Sequence, residues 1–312
     1  AGRGAMATAV FMLLCCLGSN QEAVYHYKKG SVRQAEKRDK QFYLVAVAVF
    51  RDEDEYLLEW LEFHLCMGVE HFFMYNHHSK NERIDELLGG YVEQGIVTLD
   101  EAVCDVHCQV PTYQKCIDDH GYRSRWMAFI DIDEFLMPSP SASGSQIEGS
   151  FPLRSILTSY EDHPAVLVNW LVFGSSNHTR NPKGLVLENY IWRAEHPSEV
   201  VKSIAQPDRI EAAGGHNHRY KDDAPAVNEK KKHVFFNFSS GEPPSISNPA
   251  SVDILRIHHY RTKSLQHAYR RFERDAIFRL NDFDNEDIYP STESSQLQWI
   301  SKWDSNDVRD TW

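Results

Sequence analysis

The sequence predicts an α/β protein with one mostly parallel central sheet. Three observations carry that expectation. Tyr43 to Phe50 (YLVAVAVF) and Trp126 to Ile132 (WMAFIDI) are continuous β-rich apolar runs, the pattern of strands covered on both faces. Strand-like and helix-like segments alternate as βαβαβ from Tyr43 onward, which implies helices on both faces and a ligand crevice beyond the carboxyl ends of the strands. The 312 residues, 42% hydrophobic and 12% aromatic, supply core enough for one large α/β domain or two small ones, with the folded body running over residues 42–312.

The elements follow in order. After the first strand, Glu55 to Cys66 reads as a helix with Leu57, Leu61 and Leu65 four apart on one face. Val69 to Tyr75 is the next strand, Arg83 to Glu93 the next helix, and Ile96 to Leu99 a short strand after Gly95. Val110 to Asp119 forms a helix leading into the strand Trp126 to Ile132. Pro138 to Ser150 (PSPSASGSQIEGS) is a loop, Val166 to Phe173 a strand, and Ile254 to Ile257 a last strand. Lys221 to Lys232 and Ser239 to Ser251 read as surface loops around the aromatic patch Val234 to Phe238, and Lys263 to Leu280 as a basic helix.

The N-terminal stretch differs from this. Arg3 precedes the apolar run Ala5 to Leu17, too short for the roughly 20 residues of a bilayer-spanning helix. Residues 1–20 therefore read as a signal or truncated signal-anchor segment, and the charged residues 21–41 as a polar stem. Asn177-His178-Thr179 and Asn237-Phe238-Ser239 are glycosylation sequons in turn-rich stretches, consistent with a secretory route. The body cysteines Cys66, Cys104, Cys108 and Cys116 are an even set with enough thiols for two bridges. The spacing of Cys104, His107, Cys108 and Cys116 matches no common zinc finger or ribbon.

With 33 basic and 45 acidic residues the formal charge is -12, which excludes a nucleic acid as the main partner because no net basic field would attract it. A phosphorylated ligand then calls for a divalent cation to supply local positive charge. Phe129-Ile130-Asp131-Ile132-Asp133-Glu134 offers the ligands: aspartates two apart on a strand project from one face, giving two hard oxygen donors suited to Mn²⁺ or Mg²⁺. Glu134 points to the other face and braces structure.

The segments RDEDEYLLEWLEFHLCMGVEHFFMYNHHS and RSRWMAFIDIDEFLMP, followed more weakly by NWLVFGSS, GLVLENYIWRAE and IHHYRTKS, resemble glycosyltransferase family 92 and the related family-2-like group over roughly residues 43 to 275. That resemblance implies a single GT-A domain, the Rossmann-like nucleotide-diphospho-sugar transferase fold. It implies a hexosyltransferase that moves galactose from UDP-galactose to a glycan acceptor with inversion, using Mn²⁺, as a type II membrane protein of the Golgi. Carried over residue by residue, Arg51, Asp52 and Glu53 stand where the family has K-N-E near the nucleotide, with Glu53 identical. Asn76 replaces an acidic group expected near the uridine and serves either the donor or a turn. In His258-His259-Tyr260-Arg261-Thr262-Lys263-Ser264, which resembles N-H-Y-x-T-K-S, His259 aligns with the family histidine and either completes the metal shell with Asp131 and Asp133 or is structural. Lys263 and Asp131 join Arg51, Glu53 and Asn76 as donor-binding candidates.

Gly214 to His218 lines a pocket or makes a turn, and Trp170 and Phe173 form a sugar platform or core. The base that would deprotonate the acceptor hydroxyl is sought among Glu188, Glu195, Asp208 and Glu211. Two other classes compete: a non-catalytic nucleotide- or sugar-binding relative, consistent with the altered Asp52 and Asn76, and a metal-dependent phosphoesterase, for which no second cluster of ligands is present in the sequence.

Overall fold

A computed structural model describes residues 40–80, 83–105, 107–140, 152–234, 245–275 and 292–311. The expected leader 1–20, all but the last residues of the stem 21–41, most of the Pro138 to Ser150 loop, and the sequon at Asn237 lie outside the described residues.

The central sheet is assembled from parallel crossovers. Strand β1 (Phe42–Phe50) leads to helix α1 (Asp54–Met67), β2 (His71–Asn76), α2 (Ile84–Glu93), β3 (Val97–Glu101), α3 (Gln109–His120) and β4 (Ser124–Phe129). β5 (Glu134–Pro138), a short α4 (Pro152–Leu157), β6 (Ala165–Val172), α5 (Val186–Asn189) and β7 (Trp192–Arg193) come next. Then follow β8 (Val201–Ala205), β9 (Ile210–Ala212), β10 (Arg219–Tyr220), β11 (Ala226–Asn228), β12 (His233–Val234) and β13 (Leu255–His259). Helices α6 (Leu265–Asp275) and α7 (Glu293–Trp303) and strand β14 (Val308–Arg309) complete the described chain. The strand order is β12-β11-β6-β8-β4-β1-β2-β3, with β13 branching from β6 to pair with β5. β1 runs parallel to β2 and β4, and β6 parallel to β11 and β13, whereas β8 is antiparallel to both its neighbours. The expected class, α/β with a mostly parallel sheet, is the one observed.

Alternation along β1 explains the two-sided core. Leu44, Ala46, Ala48 and Phe50 pack with Leu57, Trp60 and Leu61 of α1 on one face, while Val45 and Val47 pack with Tyr113 and Cys116 of α3 on the other. α1 ends where Gly68 takes φ 99° and its amide bonds the carbonyls of His64 and Leu65, a left-handed cap that a side chain would disfavour. His64 pins α1 to β5: its Nδ1 is 2.7 Å from the Trp60 carbonyl, and its Nε2 accepts from the Leu136 amide at 3.1 Å. Both bonds fix a neutral imidazole, and burial lowers its pKa to about 3. The C-terminal segment is held by close approach: a Cβ on Gly174 would lie 2.4 Å from the Ser305 carbonyl oxygen.

One expectation is corrected, and the pairing of the cysteines, which the sequence left open, is seen in part. β4 ends at Phe129, so Ile130 to Asp133 is a turn rather than strand, and the rule that aspartates two apart share a face does not apply there. Of the two bridges the body cysteines allow, Cys104–Cys108 forms, but Cys66 lies on α1 and Cys116 on α3, on opposite faces of the sheet and out of reach of each other. Among the described residues no helix is long and apolar enough to cross a membrane.

Candidate active site

The carboxyl ends of the parallel strands bring the sequence-selected groups to one edge. Arg51 to Glu53 follow β1, Asn76 closes β2, Asp131 to Asp133 follow β4, and His259 closes β13. Within that edge the two aspartates have different partners. Asp131 accepts from Gln109 Nε2 at 2.7 Å, from the Tyr113 hydroxyl at 3.5 Å and from Lys202 Nζ at 2.8 Å. Its side chain remains 34% exposed. Lys202, on β8, is buried between it and Glu134, whose carboxylate is 3.6 Å away and accepts from the Asp131 amide at 2.7 Å. Burial alone would lower the Lys202 pKa, but Asp131 and Glu134 outweigh it and raise it, so the lysine is charged. Burial drives the Glu134 pKa well upward against the pull of Lys202.

Asp133 belongs to a second group. Its Oδ1 is 3.6 Å from His259 Nε2, its Oδ2 accepts from Arg271 Nη1 at 3.1 Å, and its carbonyl accepts from the Tyr260 amide at 2.8 Å. Burial would raise its pKa, but His259, Lys263 and Arg271 prevail and hold the carboxyl well below its usual range. Burial lowers the pKa of His259 against the attraction of Asp133. Strand alternation sends the adjacent His258 the other way, onto Phe173 and Tyr260.

The donor set at Asp133 and His259 suits a divalent cation. A carboxylate oxygen and an imidazole nitrogen 3.6 Å apart are within the spacing of two ligands sharing an ion with bonds of about 2.1 Å. Nε2 is the ring atom that a cation shared with Asp133 would use, and the buried Nδ1 has no hydrogen-bond partner. A cation held by these two donors would have other coordination positions for phosphate and water. Among the described residues no three His, Cys, Asp or Glu side chains are gathered as a metal cluster, and Asp131 is bonded to Lys202 and Gln109.

The remaining donor-binding candidates are placed as follows. Arg51 is 14% exposed and its guanidinium is 3.9 Å from Asp52. Glu53 stands 3.8 Å from Arg274, its pKa raised by burial. Asn76 uses both ends of its amide internally, accepting from the Ser79 amide at 3.0 Å and donating to Glu101 at 3.2 Å, which is a turn role. Lys263 is fully buried with Nζ 4.3 Å from the Tyr56 ring centroid, so the expected phosphate contact is not open to it in this conformation.

The family model of glycosyltransferase family 92 matches residues 42–297. The chain belongs to glycosyltransferase family 92. A family 92 protein of Oryza sativa subsp. japonica is 27% identical over 192 residues, covering 55% of this chain and 28% of that protein. A galactan beta-1,4-galactosyltransferase of Arabidopsis thaliana is 26% identical over 168 residues, covering 51% and 33%. The matched regions thus span about a third of the length of these relatives. Among solved structures, a mannosyltransferase from Pyrobaculum calidifontis in complex with GDP-Man and Mn²⁺ aligns with a TM-score of 0.29 and 13% identity, over 53% of this chain and 47% of that one.

In this family 92 chain the four carboxylates proposed as bases are scattered. Asp208 pairs with Lys40 at 2.7 Å, just before β1 begins, so it sits a full strand length from the crevice and its candidacy is corrected. Glu211 pairs with Arg219 across the β9–β10 hairpin at 3.1 Å. Glu195 is exposed, 3.9 Å from His196. Glu188 lies on α5, whose first amides bond Glu59 of α1. Trp170 and Phe173 are core: Trp170 is buried, 4.2 Å from the His259 ring, and Phe173 packs on Tyr260. The Gly214 to His218 segment does reach the site, since His216 stands 5.4 Å from the Trp170 ring and its Nδ1 is 2.9 Å from the Val201 carbonyl. Burial, then Lys202, lowers the His216 pKa to about 4.

The sequence reading missed Lys202, Gln109, Tyr113, Arg271 and Arg274. A signal existed for Lys202, a lone lysine in the apolar run Val200 to Ala205, because a charge there needs a buried partner. Gln109 and Tyr113 carried none beyond their helical spacing.

Proposed function

We propose that this chain carries a GT-A catalytic domain that moves a hexose, galactose from UDP-galactose, to a glycan acceptor with inversion, with Mn²⁺ or Mg²⁺ held by Asp133 and His259. The observation that carries the reading is the Asp133–His259 pair at the carboxyl edge of a parallel sheet, in a chain of family 92. The relative named as a galactan beta-1,4-galactosyltransferase supports galactose as the sugar.

A cation bound there would offset the charge of the departing nucleoside diphosphate. The chain's own residues supply the rest. Asp131, oriented by Gln109 and Lys202, presents a partly exposed carboxylate that accepts from a donor hydroxyl. Arg51 and Glu53 border the nucleotide, and His216, like His259, lies against the Trp170 ring as part of the crevice wall. A carboxylate on the face of the sugar opposite the diphosphate takes the acceptor's proton, and Glu188, Glu195 and Glu211 are the glutamates to replace by Gln in search of it. The apolar run at residues 5–17 and the exposed sequon residue Asn177 support residence in the Golgi lumen as a type II membrane protein.

Incubation with UDP-galactose, Mn²⁺ and galactan oligosaccharides tests the reading. The expected result is one-sugar extension that stops with EDTA and returns with Mn²⁺. UDP binding without extension of any glycan would favour a non-catalytic binder, and phosphate release from simple esters a phosphoesterase; either would refute the transferase.

A further inference from the structure

Beside Asp133, one face of α6 carries two arginines and a histidine whose pKa burial drives well down. His267, Arg271 and Arg274 recur at intervals of four and three, so they share a helix face. That face meets the turn after β1: His267 Nδ1 is 3.1 Å from the Tyr56 hydroxyl, and Arg274 donates to the Arg51 carbonyl at 3.0 Å. Between α6 and that turn lies a cavity of about 280 Å³, where Lys80 and three α6 arginines share the lining with the carboxylates of Asp52, Asp54, Glu55 and Glu273. Arg271 therefore has two faces. Its side chain, 20% exposed, borders the cavity, and its Nη1 bonds the carboxylate best placed to hold a cation. A guanidinium and a divalent cation at one carboxylate repel each other, so cation binding at Asp133 weakens the Arg271 bridge. The guanidinium then has an adjoining cavity to turn into, and its planar set of donors matches a diphosphate.

We propose that Arg271 is a diphosphate-binding residue of the donor site, and that its ion pair with Asp133 makes it compete with the divalent cation when nucleotide is absent. This rests on the donor reading above. Arg271 and the cation, on the two oxygens of Asp133, weaken each other until the diphosphate draws the arginine away, after which each ligand favours the other by the same factor. A purely structural arginine would behave differently, because its loss would loosen Asp133 and weaken both ligands.

Calorimetric titration of the full chain with Mn²⁺ alone, UDP alone and each in the presence of the other separates these cases. For Arg271→Gln, Mn²⁺ alone binds several-fold more tightly than to the wild type, while UDP at saturating Mn²⁺ binds about tenfold more weakly or worse. Arg271→Lys, which keeps the charge and loses the fork, falls between, and it serves as the test variant should near-ultraviolet circular dichroism show the glutamine form unfolded. A folded Arg271→Gln protein that binds Mn²⁺ more weakly, or UDP within twofold of wild type, overturns the assignment of Arg271 and leaves the donor reading standing. A wild-type chain that binds Mn²⁺ but no UDP overturns both.

Discussion

Replacing Lys202 by Met removes the cation that two carboxylates share. Lys202 is 1% exposed, Glu134 fully buried and Asp131 34% exposed on the side-chain scale. Breaking a buried pair by deleting one partner costs about 3–5 kcal/mol. Water re-solvates the exposed part of Asp131, so most of the cost falls on Glu134 and the lower end, about 3 kcal/mol near neutral pH, is expected. The loss is pH-dependent with a definite sign. The folded pKa of Glu134 is raised by burial, so the folded state holds its proton longer than the unfolded chain does, and stability falls as pH rises from the unfolded value toward the folded one. Removing Lys202 takes away the pull that lowers this pKa, which extends the window upward. The difference between variant and wild type therefore grows with pH, by up to about 1.4 kcal/mol per unit within that window. Guanidinium unfolding of wild type, Lys202→Met and Lys202→Met/Glu134→Gln between about pH 5 and pH 8 measures this. The double variant regains most of the loss because a neutral amide needs no counter-charge. A loss below about 1 kcal/mol, a flat pH profile, or no recovery in the double variant would show that Lys202 does not neutralise Glu134.

Three further outcomes are expected. Asp133→Asn abolishes Mn²⁺ binding measured by calorimetry while circular dichroism stays native; Mn²⁺ binding of wild-type strength would remove Asp133 from the metal site. His259→Ala weakens Mn²⁺ about tenfold or more, and an unchanged affinity would return His259 to a structural role. The His64 pKa is depressed to about 3, so its contribution is present above the unfolded value near 6.5 and is lost as pH falls. Between pH 6.5 and 4.5 that loss is about 2.3 kcal/mol, and His64→Phe should flatten the acid limb of the stability profile accordingly; an equally steep limb would show that other groups set it.

Much of the fold was legible in the residues because burial on both faces of a parallel sheet leaves continuous apolar runs such as Leu44 to Ala48, and helices mark themselves by Leu57 and Leu61 at a period of four. The location of the site followed from the same logic, since groups just after β1, β2 and β4 must meet at one edge. What the chain alone could not reveal was where β4 stops. A strand through Ile132 would have turned Asp131 and Asp133 the same way, but the turn after Phe129 gives one to Lys202 and the other to His259 and Arg271. Those partners come from β8, β13 and α6, many residues away. Local sequence encodes period and turn chemistry, whereas which distant charge meets a buried carboxylate depends on strand order and on the cost of leaving it unpaired. Periodicity and motif thus suffice for the α/β class, the family and the crevice edge, whereas the long-range packing of β8, β13 and α6 sets which aspartate faces a histidine, which is held by a lysine, and that Arg271 rather than Lys263 borders open space.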